Sequence, residues 1–168
     1  MRKLILLSLI PAALLLVTAA ACGDDDDDDD GNGGATTAPD GTGDGEGTDV
    51  AITLQEFSVI PSPLSAAPGT VNFNISNDGP DDPHEFVVIK TDLAPDALPT
   101  VEDGSVDEEG EGIEVKDEVE DLEVGGTETL TVDLEAGAYV LICNIVEEED
   151  GETESHYAEG MHAGFTVE

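Results

Sequence analysis

Four side chains of this 168-residue chain are of types that bind a soft transition metal. They are His84, Cys143, His156 and Met161, so that two imidazoles, one thiolate and one thioether occur in the order His, Cys, His, Met. In a blue-copper site, two histidines and a cysteine form a trigonal plane around the ion, and methionine is the weak axial ligand. The residue types and their order therefore predict a type 1 copper site that exchanges single electrons.

The strand pattern indicates how these side chains could be brought together. Period-two alternation places Cys143 at the end of a strand, with its side chain toward the core. His84 begins another strand and also points inward, and the segment after Cys143 returns with His156 and Met161 before the final strand. A rigid β frame would let the metal change its oxidation state with little rearrangement of the ligands, which fast electron transfer requires.

Short alternating segments with turn residues between them dominate the chain, and helical periodicity is almost absent. Residues 92–112 are rich in Pro, Gly and acid and predict an irregular excursion or a short helix, while Ile113 to Val124 fits neither period well. We expect an all-β fold, an antiparallel β-sandwich with Greek-key connections. The predicted strands are 50–57, 71–76, 84–91, 127–134, 138–145 and 164–168.

The sequence around the four side chains resembles the cupredoxins, the plastocyanin and azurin type of blue-copper protein. The resemblance lies in PHEFVV at residues 83–88 and in YVLICN at 139–144, followed by His156-Tyr157 and Gly160-Met161, and it covers residues 49–168. It implies one copper ion per chain, bound by His84, Cys143, His156 and Met161. The four residues between His156 and Met161 match the plastocyanin-like spacing.

The chain departs from this family pattern in two places. Twelve residues, Asn144 to Ser155, separate Cys143 from His156 where small members of the family have a few, and six of the twelve are acidic. We expect an outward bulge, because loop closure costs rise slowly with length; the alternative is a self-repelling loop that loosens His156. Glu85 follows the first histidine where relatives often have a hydrogen-bonding Asn.

Other interpretations of the same residues stay open. His162 is a rival imidazole beside Met161, but its spacing fits less well, and we expect it to be an exposed edge residue near the site. Taken singly, each histidine could be an ordinary surface or strand-edge residue, and Met161 could fill the core. Cys143 could be a small buried hydrophobe, although an unpaired thiol in an exported protein favours metal ligation.

The N-terminus carries export signals. A basic pair, an apolar run and small residues before Cys22 predict a lipoprotein signal peptide over 1–21 and lipidation of Cys22; ordinary cleavage that leaves Cys22 as a loose thiol is the alternative. Residues 22–48 include seven consecutive aspartates and predict a disordered tether. We therefore expect a copper domain at 49–168 that is lipid-anchored at the outer face of the cell membrane.

The charge balance restricts the partners. The chain has 41 acidic and 4 basic residues, with a formal net charge of −37. Nucleic acid is excluded as a partner, because phosphate binding needs basic groups. The acidic surface could serve solubility in a salty habitat, or it could steer the protein toward a basic redox partner.

Three functions compete at this stage. The first is a membrane-tethered, monomeric carrier of single electrons, the second an envelope copper carrier or buffer, and the third a metal-free sandwich used for binding. We do not expect an enzyme, because no nucleophile–base arrangement or carboxylate pair has supporting motifs around it.

Overall fold

The computed structural model describes residues 47–149 and 151–168. The predicted signal peptide (1–21), Cys22 and nearly all of the predicted tether (22–48) lie outside these residues, so they stay predictions. No helix in the described part of the chain is both long enough and apolar enough to cross a membrane.

Eleven strands and one short helix make up the described region. They are β1 (Thr48–Gln55), β2 (Ser58–Ser62), β3 (Ser65–Ala66), β4 (Gly69–Asn77), β5 (His84–Lys90), β6 (Glu114–Leu122), β7 (Thr127–Leu134), β8 (Gly137–Ile142), β9 (Val146–Glu149), β10 (Glu152–Ser155), α1 (His156–Glu159) and β11 (His162–Val167).

Two sheets pack face to face, which confirms the predicted β-sandwich. One sheet has the order β2-β1-β4-β7 and the other β3-β11-β8-β5-β6. The sheets are mixed rather than wholly antiparallel, because β1 runs parallel to β4 and β3 runs parallel to β11. The parallel β1–β4 pair is possible because β2, which runs antiparallel to β1, returns the chain to the starting end before β4.

The core between the sheets is built from the inward-facing residues of both. Phe73 of β4 contacts Phe86 and Phe165 of the other sheet, with ring centroids 5.3 and 5.6 Å apart. Cys143 and Met161 belong to this same cluster of buried side chains. The site residues are therefore held at one end of a close-packed core, whose side chains have little freedom to move.

Strand β5 is buried on both faces, which explains its continuous apolar sequence. Phe86 and Val88 face the core between the sheets, while Val87 and Ile89 belong to a second cluster on the other side. That second cluster includes Leu98 and other residues that follow β5 in the chain. The 92–112 excursion thus covers the outer face of the sheet, and it contains turns and one isolated bridge, Thr100 to Val106, but no helix.

The ambiguous segment 113–124 is an irregular edge strand. β6 pairs with β5 through two register shifts, between His84 and Phe86 and between Val88 and Ile89. A bulge displaces the side-chain alternation by one residue. A strand with two such shifts cannot show a clean period of two, which is why the sequence pattern is unclear here.

Candidate metal centre

His84 enters the site from the start of β5. Its side chain is fully buried, at the end of a strand that packs on both faces. The preceding Asn77 fixes the turn into β5, since its side-chain amide donates to the carbonyl oxygens of Asp82 and Leu122 at 2.9 Å each. Burial lowers the pKa of His84, and the neighbouring His156 lowers it further. The imidazole of His84 is therefore neutral and free to act as a ligand at neutral pH.

Cys143 follows directly on β8 and is also fully buried. Its sulfur accepts the backbone N–H of Glu85 at 3.2 Å, and its own N–H donates to the carbonyl of Met161 at 3.0 Å. Burial raises the pKa of the thiol to about 12, against the lowering effect of the Glu85 and Ile145 amides. The metal-free thiol is therefore protonated at neutral pH and would lose its proton on binding a cation.

His156 is delivered by the twelve-residue insertion, which is a β-hairpin rather than an open loop. β9 and β10 pair antiparallel, with Val146 opposite Ser155 at one end and Glu149 opposite Glu152 at the other. The His156 N–H then donates to Ile145 O at 3.0 Å, and the hydroxyl of Ser155 accepts the Ala158 N–H at 3.3 Å as the N-cap of α1. The hairpin thus returns the chain to where it left Cys143, and His156 is fully buried instead of loosened.

The three side chains converge on one point. Nδ1 of His84 lies 3.3 Å from Nδ1 of His156, and Cys143 Sγ lies 3.4 Å from the same His156 nitrogen. The ligand atoms of all three residues lie within 4.8 Å of one another. The outer Nε2 atoms of both imidazoles are buried and have no hydrogen-bond partner. Two imidazoles and a thiol that face each other in a buried space are the donor set that copper prefers.

Met161 lies close to this group in the fold, but its role as axial ligand stays a prediction. Its side chain is fully buried in the cluster that contains Cys143. Its backbone is tied to both neighbours in the site, because its N–H donates to His156 O at 2.9 Å and its carbonyl accepts from Cys143.

His162 is not part of the cluster. It begins β11, is partly buried, and packs its ring against Tyr157 with centroids 5.3 Å apart. The expectation that it lies at an edge near the site is compatible with this position, although its side chain is less exposed than we expected.

Glu85, which stands where relatives often have a hydrogen-bonding Asn, supports the cysteine sulfur through its backbone. The contact to the sulfur comes from the Glu85 backbone, not from its side chain. Burial, with the carboxylates of Glu108 and Glu118 nearby, raises the pKa of the Glu85 carboxyl to about 7. An amide does support the site elsewhere, because Asn144, next to Cys143, accepts the Val106 N–H at 2.7 Å.

Sequence reasoning missed a set of acidic residues that lie beside the imidazoles. Glu56 Oε1 lies 3.8 Å from Nε2 of His84. Asp82 and Glu154 each place a carboxylate oxygen within 4.8 Å of a ring nitrogen of His156. In a chain with 41 acidic residues no local sequence signal separates these three from the rest.

Comparisons with solved structures identify the fold that carries this site. Auracyanin from the photosynthetic bacterium Roseiflexus castenholzii, solved in a dithionite-reduced form, superposes with a TM-score of 0.50 at 21% identity, over 74% of this chain and 99% of that chain. The copper protein rusticyanin gives a TM-score of 0.50 at 20% identity, over 74% of this chain and 80% of its own. No family model and no curated sequence matches the chain.

The described domain therefore has the cupredoxin fold, the β-sandwich of blue-copper proteins. The group formed by His84, Cys143 and His156 fits a single copper ion at one end of that sandwich.

Proposed function

We propose that this protein is an exported, single-copper carrier of electrons with no substrate of its own. The observation that carries the proposal is the convergence of two Nδ1 atoms and one sulfur, all buried, at one point of a cupredoxin fold. When bound there, copper would supply a one-electron couple between Cu(II) and Cu(I). Met161 is proposed as the weak axial ligand.

The surrounding residues hold the proposed ligands in place, as a carrier needs if its ligands are to move little when the metal changes oxidation state. His84 is fixed in a strand between two buried clusters, and Cys143 is held by hydrogen bonds at both its sulfur and its amide. Packing and backbone hydrogen bonds also fix His156 at the start of α1, directly after the hairpin. Ligands held in this way keep their positions when the charge of the ion changes.

Burial favours an electron carrier over a copper carrier. His84, Cys143 and His156 are each 0% exposed, and Phe57 packs edge-on against the His156 ring at 5.4 Å. A protein that hands copper to another must expose its ion to incoming ligands. We therefore expect slow release of copper to chelators from the folded protein.

The location and partner are also proposals. The sequence signals at residues 1–21 and Cys22 support export and a lipid anchor at the outer face of the membrane. The excess of acidic over basic residues supports a redox partner that is basic where it docks, with this protein acting as a monomer.

The test is to add one equivalent of Cu(II) to the protein expressed from the full chain, and to record visible and EPR spectra. We expect an intense thiolate-to-copper absorption band and the small copper hyperfine splitting of a type 1 site. Cys143→Ser should abolish the band while the β-rich circular dichroism spectrum is retained, whereas Ser76→Ala, whose hydroxyl makes only a long 3.4 Å contact to Ile52 O, should keep it. A colourless wild-type protein, or a coloured Cys143→Ser variant, would contradict the proposal.

A further inference from the structure

We propose that Glu56 is a positioning residue for the copper ligand His84, and that its charge biases the site toward Cu(II). This inference rests on the proposed copper function and concerns the outer side of the site, away from the metal-binding nitrogens. It begins from the two buried Nε2 atoms that have no hydrogen-bond partner.

Glu56 is held rigidly in the turn between β1 and β2. Its Oε1 accepts the N–H groups of Asp81 at 3.1 Å and Asp82 at 2.8 Å, and only 12% of its side chain is exposed. The second oxygen, Oε2, is buried and without a partner. A carboxylate fixed by two amides in a largely buried position is not a freely solvated surface charge, so it acts on whatever lies beside it.

The neighbour of this carboxylate is the outer nitrogen of His84, 3.8 Å from Oε1. The inner nitrogen, Nδ1, points at His156 and the sulfur, so it is the one available to the metal. With Nδ1 occupied, the proton of the neutral ring resides on Nε2, which faces Glu56. The separation is an electrostatic contact rather than a hydrogen bond, and it draws positive charge toward the carboxylate.

The other imidazole has a similar environment. Asp82 and Glu154 lie within 4.8 Å of a ring nitrogen of His156. Asp82 also donates its N–H to Glu56, so two of these acidic residues are linked by a hydrogen bond.

The consequence is a preference between oxidation states. Carboxylates that face the N–H of a ligating histidine make the ring a stronger donor. Stronger donation and nearby negative charge stabilise the more positive ion, so reduction by a one-electron donor, Cu(II) + e⁻ → Cu(I), becomes less favourable. Removing the charge of Glu56 should therefore shift the relative affinity toward Cu(I).

The experiment compares Glu56→Gln with Glu128→Gln in the copper-loaded protein. The glutamine keeps an oxygen for the two backbone amides, so the turn should stay folded, and Glu128 is an exposed acid on β7 whose loss changes the net charge equally. We expect Glu56→Gln to raise the Cu(I)/Cu(II) affinity ratio about tenfold, which is about 59 mV in a potentiometric titration. Glu128→Gln should change it less than about twofold.

A second readout does not depend on copper. Nitrogen-15 NMR of the metal-free protein should show the proton of His84 on Nε2 in the wild type, and a shift toward Nδ1 in Glu56→Gln. Equal potentials for the two variants, or an unchanged His84 tautomer, would overturn the role of Glu56. A wild-type protein without a type 1 spectrum would instead overturn the proposed function, and the NMR comparison would still decide whether Glu56 acts on His84.

Discussion

At the scale of single residues, a partly buried acid, Glu85, lies beside the candidate metal ligands. The carboxyl of Glu85 neighbours His84 in the chain, and its pKa of about 7 arises first from burial and then from Glu108 and Glu118. An acid whose pKa is raised by folding stabilises the folded state below its unfolded pKa. That stability is lost as the pH rises through the folded pKa.

Glu85 therefore predicts a pH-dependent stability of the metal-free protein. The free energy of unfolding should fall by about 1 to 2 kcal/mol between about pH 4.5 and pH 7. Each pKa unit corresponds to about 1.4 kcal/mol. The expected change is smaller than the full shift would give, because the side chain is only partly buried and solvent screens its charge. Glu85→Gln should flatten this part of the profile, whereas Glu128→Gln should leave its slope unchanged. Urea unfolding at a series of pH values measures the effect, and equal slopes for wild type and Glu85→Gln would contradict it.

At the scale of elements, the β9–β10 hairpin is what makes the long Cys143–His156 separation compatible with a site. Ser155 joins the hairpin to α1: its hydroxyl donates to Gly104 O at 2.9 Å and accepts the Ala158 N–H. Gly104 has a φ of +90°, and a Cβ there would lie 3.1 Å from Ser155 Cβ. The hairpin is thus fixed against the 92–112 excursion immediately before His156.

Removing this attachment should affect both stability and metal retention. Ser155→Ala loses the cap and the hydrogen bond to Gly104, which should cost about 1 to 2 kcal/mol of unfolding free energy. Copper should also leave more quickly, because His156 directly follows the cap. Ser76→Ala, which removes only a long 3.4 Å contact to Ile52 O, is the matched control. Unfolding curves and chelator-transfer rates that are equal in the two variants would disprove this role.

The sequence predicted some elements well and others poorly, for identifiable reasons. The alternation of β4 and β7 predicts both strands to within two residues of their ends, whereas β8, predicted over 138–145, ends at Ile142 and its last four residues are all buried. The hairpin was not predicted, since acidic residues fill both of its strands and provide no apolar face. Ligand order suggested that His84, Cys143 and His156 would meet, but Glu56 lies in a turn distant in sequence, and only the folded sheet places it beside His84.

At the scale of the whole molecule, charge is distributed unevenly along the sandwich. The described region contains two lysines, Lys90 and Lys116, and each pairs with a glutamate at 3.0 Å. Lys90 ends the strand that His84 begins, and Lys116 is on the part of β6 that pairs near that end. The end that holds the candidate site is bordered by acids such as Glu56, Asp82 and Glu154.

This distribution predicts opposite salt effects for reagents of opposite charge. Reduction or oxidation by a cationic metal complex should slow about tenfold or more as ionic strength rises, because screening removes the attraction to the acidic end. An anionic complex of matched driving force should react faster as salt is added. Stopped-flow rates at the copper absorption band measure both, and a common direction for the two complexes would contradict electrostatic steering.

The contact of Phe57 with His156 has a consequence for how electrons would enter. Since the imidazole has no surface-exposed edge, a partner protein cannot touch a ligand and must exchange electrons across intervening atoms. Tunnelling rates fall with each ångström of distance between the partner's redox centre and the metal site. The docking orientation that makes this distance shortest is therefore the one in which electrons transfer fastest. The Phe57 ring and the hairpin would thereby favour partners that can bring their redox centre close to the site, in addition to partners of suitable charge.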